Sequence, residues 1–272
     1  MKFKSKSTFY RVIIAFTISV LFASCSTVPI TGRRQLSLVP ESEVVAMGIS
    51  NYGEFLKDSK LSTNREQTAI VKKVGKNISV AVESFLRDNG MSNRLDEFQW
   101  EFNLVQNDST VNAWCMPGGK VVFYTGIMPI CQDESGVAVV MGHEIAHAVA
   151  RHGAERMSQE LGVQLGGATL QVALASKSAA TQNIFMSAYG VGTQVGVLLP
   201  YSREHESEAD KLGLIFIAMA GYNPSTAVAF WKRMAAKGGG APLELLSTHP
   251  SDSRRIAALE AYLPEAMKYY KK

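Results

Sequence analysis

Hydrophobic and polar positions repeat at two periods along the chain, and each change of period marks a change of element. Over residues 41–60 and 64–89 apolar residues return every three or four positions; in the second stretch they are Ile70, Val71, Val74, Ile78, Val82, Phe85 and Leu86. That spacing lines one face of a helix, so two helices are predicted, the second stopped by Asp88, Asn89 and Gly90. Over residues 98–105 the period drops to two, which predicts a half-buried strand. Residues 111–115 and 120–124 predict two more strands, joined by Met116, Pro117, Gly118 and Gly119, residues with turn chemistry. Residues 224–237 and 251–270 return to the helical period on either side of Gly238, Gly239 and Gly240. The expected fold class is therefore mainly α (α+β), with a small antiparallel β-sheet just ahead of the helix described next.

Residues 137–149 read as a buried helix carrying His143, Glu144 and His147 in the pattern H-E-x-x-H. Four residues apart, the two imidazoles share a helical face and can point at one metal ion. Glu144 lies one step round the helix, where its carboxylate serves as general base toward a water. Two imidazoles, one carboxylate and a water make a four-coordinate zinc site with one open position. The alternative, a core helix with three polar residues left without partners, costs roughly 1–3 kcal/mol for each. A histidine six residues after the second is excluded, because position 153 is glycine, and His152 falls half a turn off the metal face. The third ligand must come from later in the chain. The acid-rich run at residues 201–213 offers Glu206 and Asp210, four apart on one face, of which one can bind metal while the other orients a histidine. A solvated acidic face is the plainer reading of such a run.

Between these motifs, residues 153–200 are glycine-rich and almost uncharged, with Glu160 and Lys177 the charges past Arg156. Interspersed Gln and Ser argue against a membrane span, and closely packed helices over the core are favoured over a mobile lid. The strands have two readings as well. They are core structure, or Lys120, Val121, Val122, Phe123 and Tyr124 form an edge that pairs with an extended peptide through main-chain hydrogen bonds. His249 sits at a loop-to-helix junction. It is a surface histidine, or it faces the metal site, either stabilising an oxyanion or occupying the open position as a gate, with Arg255 assisting by charge.

The amino terminus adds a setting. Lys2, Lys4, Lys6 and Arg11 precede an apolar run at residues 12–22 that is too short to span a bilayer. Residues 1–24 are expected to be a signal peptide. Cys25, after Leu21, Phe22, Ala23 and Ser24, would be lipidated in a sequence that resembles a lipobox, and residues 25–41 would be a lipid-anchored tether. The domain would then be residues 42–272. The whole chain is formally +4, and the leader carries four basic and no acidic side chains. The rest is neutral, which excludes a nucleic-acid binder. Cys115 and Cys131 form an even pair, a candidate disulfide in an oxidising compartment.

Taken together, H-E-x-x-H and the later Glu206-Ser207-Glu208-Ala209-Asp210 resemble the gluzincin metallopeptidase family of the CAAX prenyl endoprotease and HtpX. In that pattern the first Glu, here Glu206, is the third zinc ligand, and the fold is a zincin-type helical metalloprotease domain. Asn112-Ala113-Trp114 with Pro117-Gly118-Gly119 is similar to the family's hairpin beside the substrate cleft, and Thr248-His249-Pro250 with Arg255-Ile256 to its element near the carboxyl end. Residues 28–36 look like the periplasmic LoiP-type lipoprotein branch, and the repeat domain of the BepA type has no counterpart. The resemblance implies a zinc-dependent endopeptidase with one Zn2+ per chain, acting on unfolded or extended polypeptides at the periplasmic face of the bacterial cell envelope and degrading damaged envelope proteins. The competing reading is a metal-stabilised chaperone that binds unfolded chains without cutting them. Retention of Glu144 speaks against it.

Overall fold

A computed structural model describes residues 25–29, 31–165, 179–189, 202–237, 244–249 and 253–270. The expected signal peptide and the glycine run at 238–240 lie outside them. In chain order the elements are β1 (Cys25–Thr27), β2 (Arg34–Leu36), α1 (Glu41–Lys57), α2 (Arg65–Asp88), β3 (Glu101–Val105), β4 (Ala113–Met116), β5 (Lys120–Tyr124), α3 (Met128–Cys131), α4 (Glu134–Val149), α5 (His152–Leu165), α6 (Ala179–Ala188), α7 (Arg203–Met219), α8 (Thr226–Lys237), α9 (Glu244–Thr248) and α10 (Ser253–Ala266). The mainly helical α+β class is what the apolar spacing predicts.

The core forms around α4, in which every residue from Gly136 to Val149 is buried. Asp133 starts the helix, its side chain accepting a hydrogen bond from Gly136 N at 2.9 Å, which satisfies one of the amides left open in a first turn. At the other end the buried Arg94 donates to Val149 O at 3.0 Å. Arg151 follows in the left-handed region, at φ 59°, and is held there by ion pairs to Glu41 and Glu97. Against one flank of α4 lies α2, burying Val71, Val74, Ile78, Val82, Phe85 and Leu86. Against another lies α7.

α4 and α7 pack closely beside the site, and glycine permits it. A Cβ on Gly142 would stand 2.6 Å from Ile217 Cγ2 and 3.1 Å from Gly213 O; one on Gly213 would stand 3.1 Å from Gly142 C and from His143 N. Glycine costs a helix interior about 1 kcal/mol relative to alanine, yet both helices carry one here, so packing outweighs propensity.

The sheet departs from expectation. Its order is β3-β5-β4, with β3 parallel to β5 and β4 antiparallel to it, so it is mixed. The turn between β4 and β5 is built by Gly118 at φ 86° and Gly119 at φ 73°. Because β5 lies between the other two strands, the backbone groups of Lys120, Val121, Val122, Phe123 and Tyr124 are already paired on both sides. The expected substrate strand is thereby corrected: β5 has no open edge, and the outer strands are β3, met near Val105 by the chain at Leu61, and β4.

Two further expectations change. Cys115 and Cys131 are both free and buried. Cys115 lies on β4, and Cys131 ends α3, where its carbonyl faces Gly136 at the start of α4; burial, the main cause, raises both thiols and keeps them protonated. The segment read as an extended tether contains a docked hairpin: Cys25↔Leu36 and Thr27↔Arg34 pair across β1 and β2, and Val28 is buried in the core. Arg33 reaches Glu155 Oε2 at 2.7 Å and Glu208 Oε2 at 3.0 Å. Of 153–200, the described parts are α5 and α6, which pack on each other.

Two outcomes follow. Gly213→Ala pushes against α4 backbone, and overpacking of this kind costs about 1–3 kcal/mol, more than the helix propensity gained; a lower melting temperature than wild type is expected. Burial raises the Glu155 carboxyl, but hydrogen bonds from His205 and Arg33 overcome it and bring the group from 4.5 down to about 2. A depressed carboxyl stabilises above its unfolded value and loses that contribution as pH falls through the folded one. Glu155→Gln should therefore melt below wild type at pH 6, with the difference shrinking between pH 4.5 and 2.

Candidate metal centre

The centre is assembled by three pieces of chain. From α4 come His143 and His147, one turn apart, their rings at 4.7 Å and 81° and their Nε2 atoms 3.1 Å from each other. From the first turn of α7 comes Glu206, whose Oε1 is 3.3 Å from His147 Nε2 and whose Oε2 is 3.4 Å from His143 Nε2. Ser202 starts that helix by accepting from His205 N at 3.2 Å, and so aims its first turn at α4. From the end of α9 comes His249, its Nδ1 3.2 Å from His143 Nε2 and 2.9 Å from Glu206 Oε1. All four side chains are buried, and one donor atom from each lies within 4.8 Å of the others.

The donor set fits zinc. Bonds of 2.0–2.1 Å to tetrahedral zinc put ligand atoms about 3.3 Å from one another, and the separations given above, 2.9–3.4 Å, scatter around that edge length. The electrostatics ask for a cation too. Burial opposes a charge on His143, but Glu206 and Asp210 override it and push this imidazole up to about 9. A divalent ion supplies the positive charge that the carboxylates call for. His147 is held well below its ordinary value, by burial first, so it is neutral and keeps a lone pair for a metal.

Glu144 stands on the next step of α4, buried, with Oε1 lacking any hydrogen-bond partner among the described residues and 3.6 Å from His249 Nε2. Burial raises its carboxyl, and the charges of His249 and His143 act against that. A buried carboxylate with a free oxygen beside the donors suits proton abstraction. β4 packs against α4, and burial, then the charge of Glu144, raises the Cys115 thiol.

Behind the donors stand their supports. Asp210 Oδ1 is 3.1 Å from His143 Nδ1, the orienting contact expected of it. Arg255, expected to assist catalysis by charge, is instead packed behind the ligands. Its Nε and Nη2 donate to Asp210 at 2.8 Å each, its Nη1 is 2.7 Å from Glu206 Oε2, and its guanidinium lies 3.7 Å from the Trp231 ring centre. It positions Glu206 and Asp210. Glu204 points outward with 67% of its side chain exposed, and Glu208 faces His152 at 3.0 Å rather than the metal donors.

Spacing along α4 did not reveal the roles of His152 and His205. His152 Nδ1 is 2.9 Å from His147 Nδ1, and the His152 and His205 rings stack at 4.5 Å and 19°. A signal existed: the chain has five histidines, and all five are buried around this one centre.

Comparison with known proteins agrees with this chemistry. Residues 74–263 match the model of Peptidase family M48. Mitochondrial metalloendopeptidase OMA1 of Schizosaccharomyces pombe is 35% identical over 250 residues, covering 90% of this chain and 68% of that protein. Its namesake in Saccharomyces cerevisiae is 30% identical over 290 residues, covering 99% and 81%. The beta-barrel assembly-enhancing protease of Escherichia coli is 31% identical over 163 residues, covering 58% and 33%. The relatives spanning nearly the whole chain are mitochondrial enzymes, and this overturns the expected setting, a lipid-anchored protease of the bacterial envelope with Cys25 as its anchor. The gluzincin resemblance stands at the level of the family; the LoiP-type branch is not among these relatives. The chain belongs to Peptidase family M48 and is a zinc metalloendopeptidase.

Proposed function

We propose that this endopeptidase cuts unfolded or extended polypeptides laid along the outer edge of β4, and that His249 closes the site at rest. The carrying observation is one hydrogen bond: Leu245 N, on the short helix that ends at His249, donates to Val111 O at 3.1 Å. Tyr124 N donates to Asn112 O on the β5 side at 3.2 Å. Alternation along a strand therefore turns Val111 O to the other edge. The segment bearing His249 thus already occupies the first place of the edge an entering strand would use. Strand addition there competes with α9. His249 N is tied to Leu245 O at 2.8 Å, so displacement of Leu245 carries His249 away from the donors.

With His249 as fourth donor the set is closed, whereas a catalytic zinc site keeps one position open. His143, His147 and Glu206 would hold the zinc, which when bound would supply a Lewis acid for the scissile carbonyl and lower the pKa of a water. Glu144 takes the proton from the attacking water as the C–O bond forms. It then passes that proton to the leaving amine as the C–N bond breaks. Asp210, His152 and Arg255 keep the ligands aimed.

Metal analysis should find about one zinc per chain, in keeping with a single four-donor centre. It should be lost in His143→Ala, His147→Ala and Glu206→Ala and kept in Glu144→Gln. Casein digestion should fall to background in Glu144→Gln; undiminished digestion would end the assignment of the base. For the gate, His249→Ala should raise basal turnover of an unfolded substrate, or leave it unharmed. If His249 instead steadied the oxyanion, the same change would lower turnover roughly 100-fold, and the gate would be refuted.

A further inference from the structure

His143 and His147 are supported differently, and the difference leads to the N-terminal hairpin. His143 has a carboxylate, Asp210, directly on Nδ1. On Nδ1 of His147 there is another histidine, His152, at 2.9 Å, and the carboxylate comes one step later, Glu208 Oε2 at 3.0 Å from His152 Nε2. Proton positions along this chain are set from its far end. Glu208 only accepts, so His152 donates from Nε2 and offers the lone pair of Nδ1. His147 must then carry its proton on Nδ1, and its Nε2 is left bare toward the donors. Were the order reversed, a proton would stand on the atom that has to bind metal.

What keeps Glu208 in place is neither α4 nor α7. Thr31 Oγ1 donates to Glu208 Oε1 at 2.6 Å, and Arg33 Nε lies 3.1 and 3.0 Å from the two carboxylate oxygens. The other side of the same guanidinium grips Glu155, with Nη1 to Oε1 at 3.0 Å and Nη2 to Oε2 at 2.7 Å, and Glu155 in turn meets His205 Nε2 at 3.0 Å. One planar fork therefore spans two buried carboxylates, one on α5 and one on α7. A lysine at that position, with one point-like charge, has no such geometry.

We propose that Thr31 and Arg33 are positioning residues of the metal centre: from the N-terminal hairpin they hold Glu208 as the acceptor that, through His152, fixes His147 with Nε2 free for metal. The hairpin, whose Arg33 precedes His143 by 110 residues, then completes the site. The proposal rests on the zinc centre described above.

The test is zinc affinity of the full chain, measured by competition with a chromophoric chelator. Nitrogen-15 spectra of the histidines in the metal-free protein accompany it. Changing a partner behind a metal ligand commonly weakens metal binding by about 10–100-fold, and that loss is expected for His152→Phe and for Arg33→Ala, with Arg33→Lys between Arg33→Ala and wild type. His147 should appear as the Nδ1–H tautomer in wild type and as a mixture in both variants. Thr31→Val removes one donor while leaving the Arg33 pairs, and should weaken binding measurably even if Arg33→Ala fails to fold. Wild-type zinc affinity in His152→Phe and Thr31→Val overturns the proposal, as does a lower metal-free melting temperature with affinity unchanged. His143→Ala separates the two levels. If it binds zinc like wild type, the metal-centre reading fails and the proposal with it; if it does not while His152→Phe does, the proposal alone is refuted.

Discussion

The site depends on how closely α7 can approach α4. Glu206 reaches His143 and His147 because two backbones meet at Gly142 and Gly213, where either added methyl would run into the other helix. Once that approach is set, the register of α7 does the rest. Glu206 and Asp210, four residues apart, fall on the face toward α4, one beside the donor nitrogens and one behind His143. Glu208, half a turn away, is directed to His152. One helix thus supplies a metal donor and the carboxylates supporting both histidines of the motif.

Such a concentration of buried charge is tolerable only when each member is answered. Arg255 answers Glu206 and Asp210 from below, covered by the face of Trp231, and Arg33 answers Glu155 and Glu208 from the side. Burial alone would raise these carboxyls; the arginines and histidines hold them charged, Glu155 and Glu208 down to about 2. A carboxylate that stays ionised remains an acceptor. An imidazole facing it is then obliged to donate, and the opposite ring nitrogen is left for metal. The electrostatic network and the metal geometry are one construction.

Much of this was legible in the residues. A period of three to four located α1, α2, α8 and α10, because each buries one face against a neighbour; a period of two pointed to β3, whereas β4 and β5, buried on both faces, were marked by the turn chemistry between them. The H-E-x-x-H spacing put His143, Glu144 and His147 at one centre, and the family resemblance pointed to Glu206, which the fold brings beside them. Strand order was not legible. A period of two marks a strand but says nothing of its neighbours, and here the last strand of the sheet inserts between the earlier ones. The hairpin was not legible either. Thr31, Gly32, Arg33 and Arg34 read locally as a polar link, and their partners, Glu155 and Glu208, are 122 and 175 residues away. His152 stands not at the metal donors but behind His147, a position that spacing along one helix cannot reveal.

X-ray absorption of the zinc-loaded protein at rest tests the central claim most directly. Zinc bound by this set should show nitrogen and oxygen neighbours at about 2.0–2.1 Å and no sulfur. The outer-shell scattering should fit three imidazoles if His249, whose ring nitrogen stands beside His143 and His147, is the fourth donor. A fit requiring only two imidazoles with a water would leave His249 outside the centre and contradict the closed resting state. Sulfur at about 2.3 Å would mean that a cysteine binds the metal, and the donor set would be wrong.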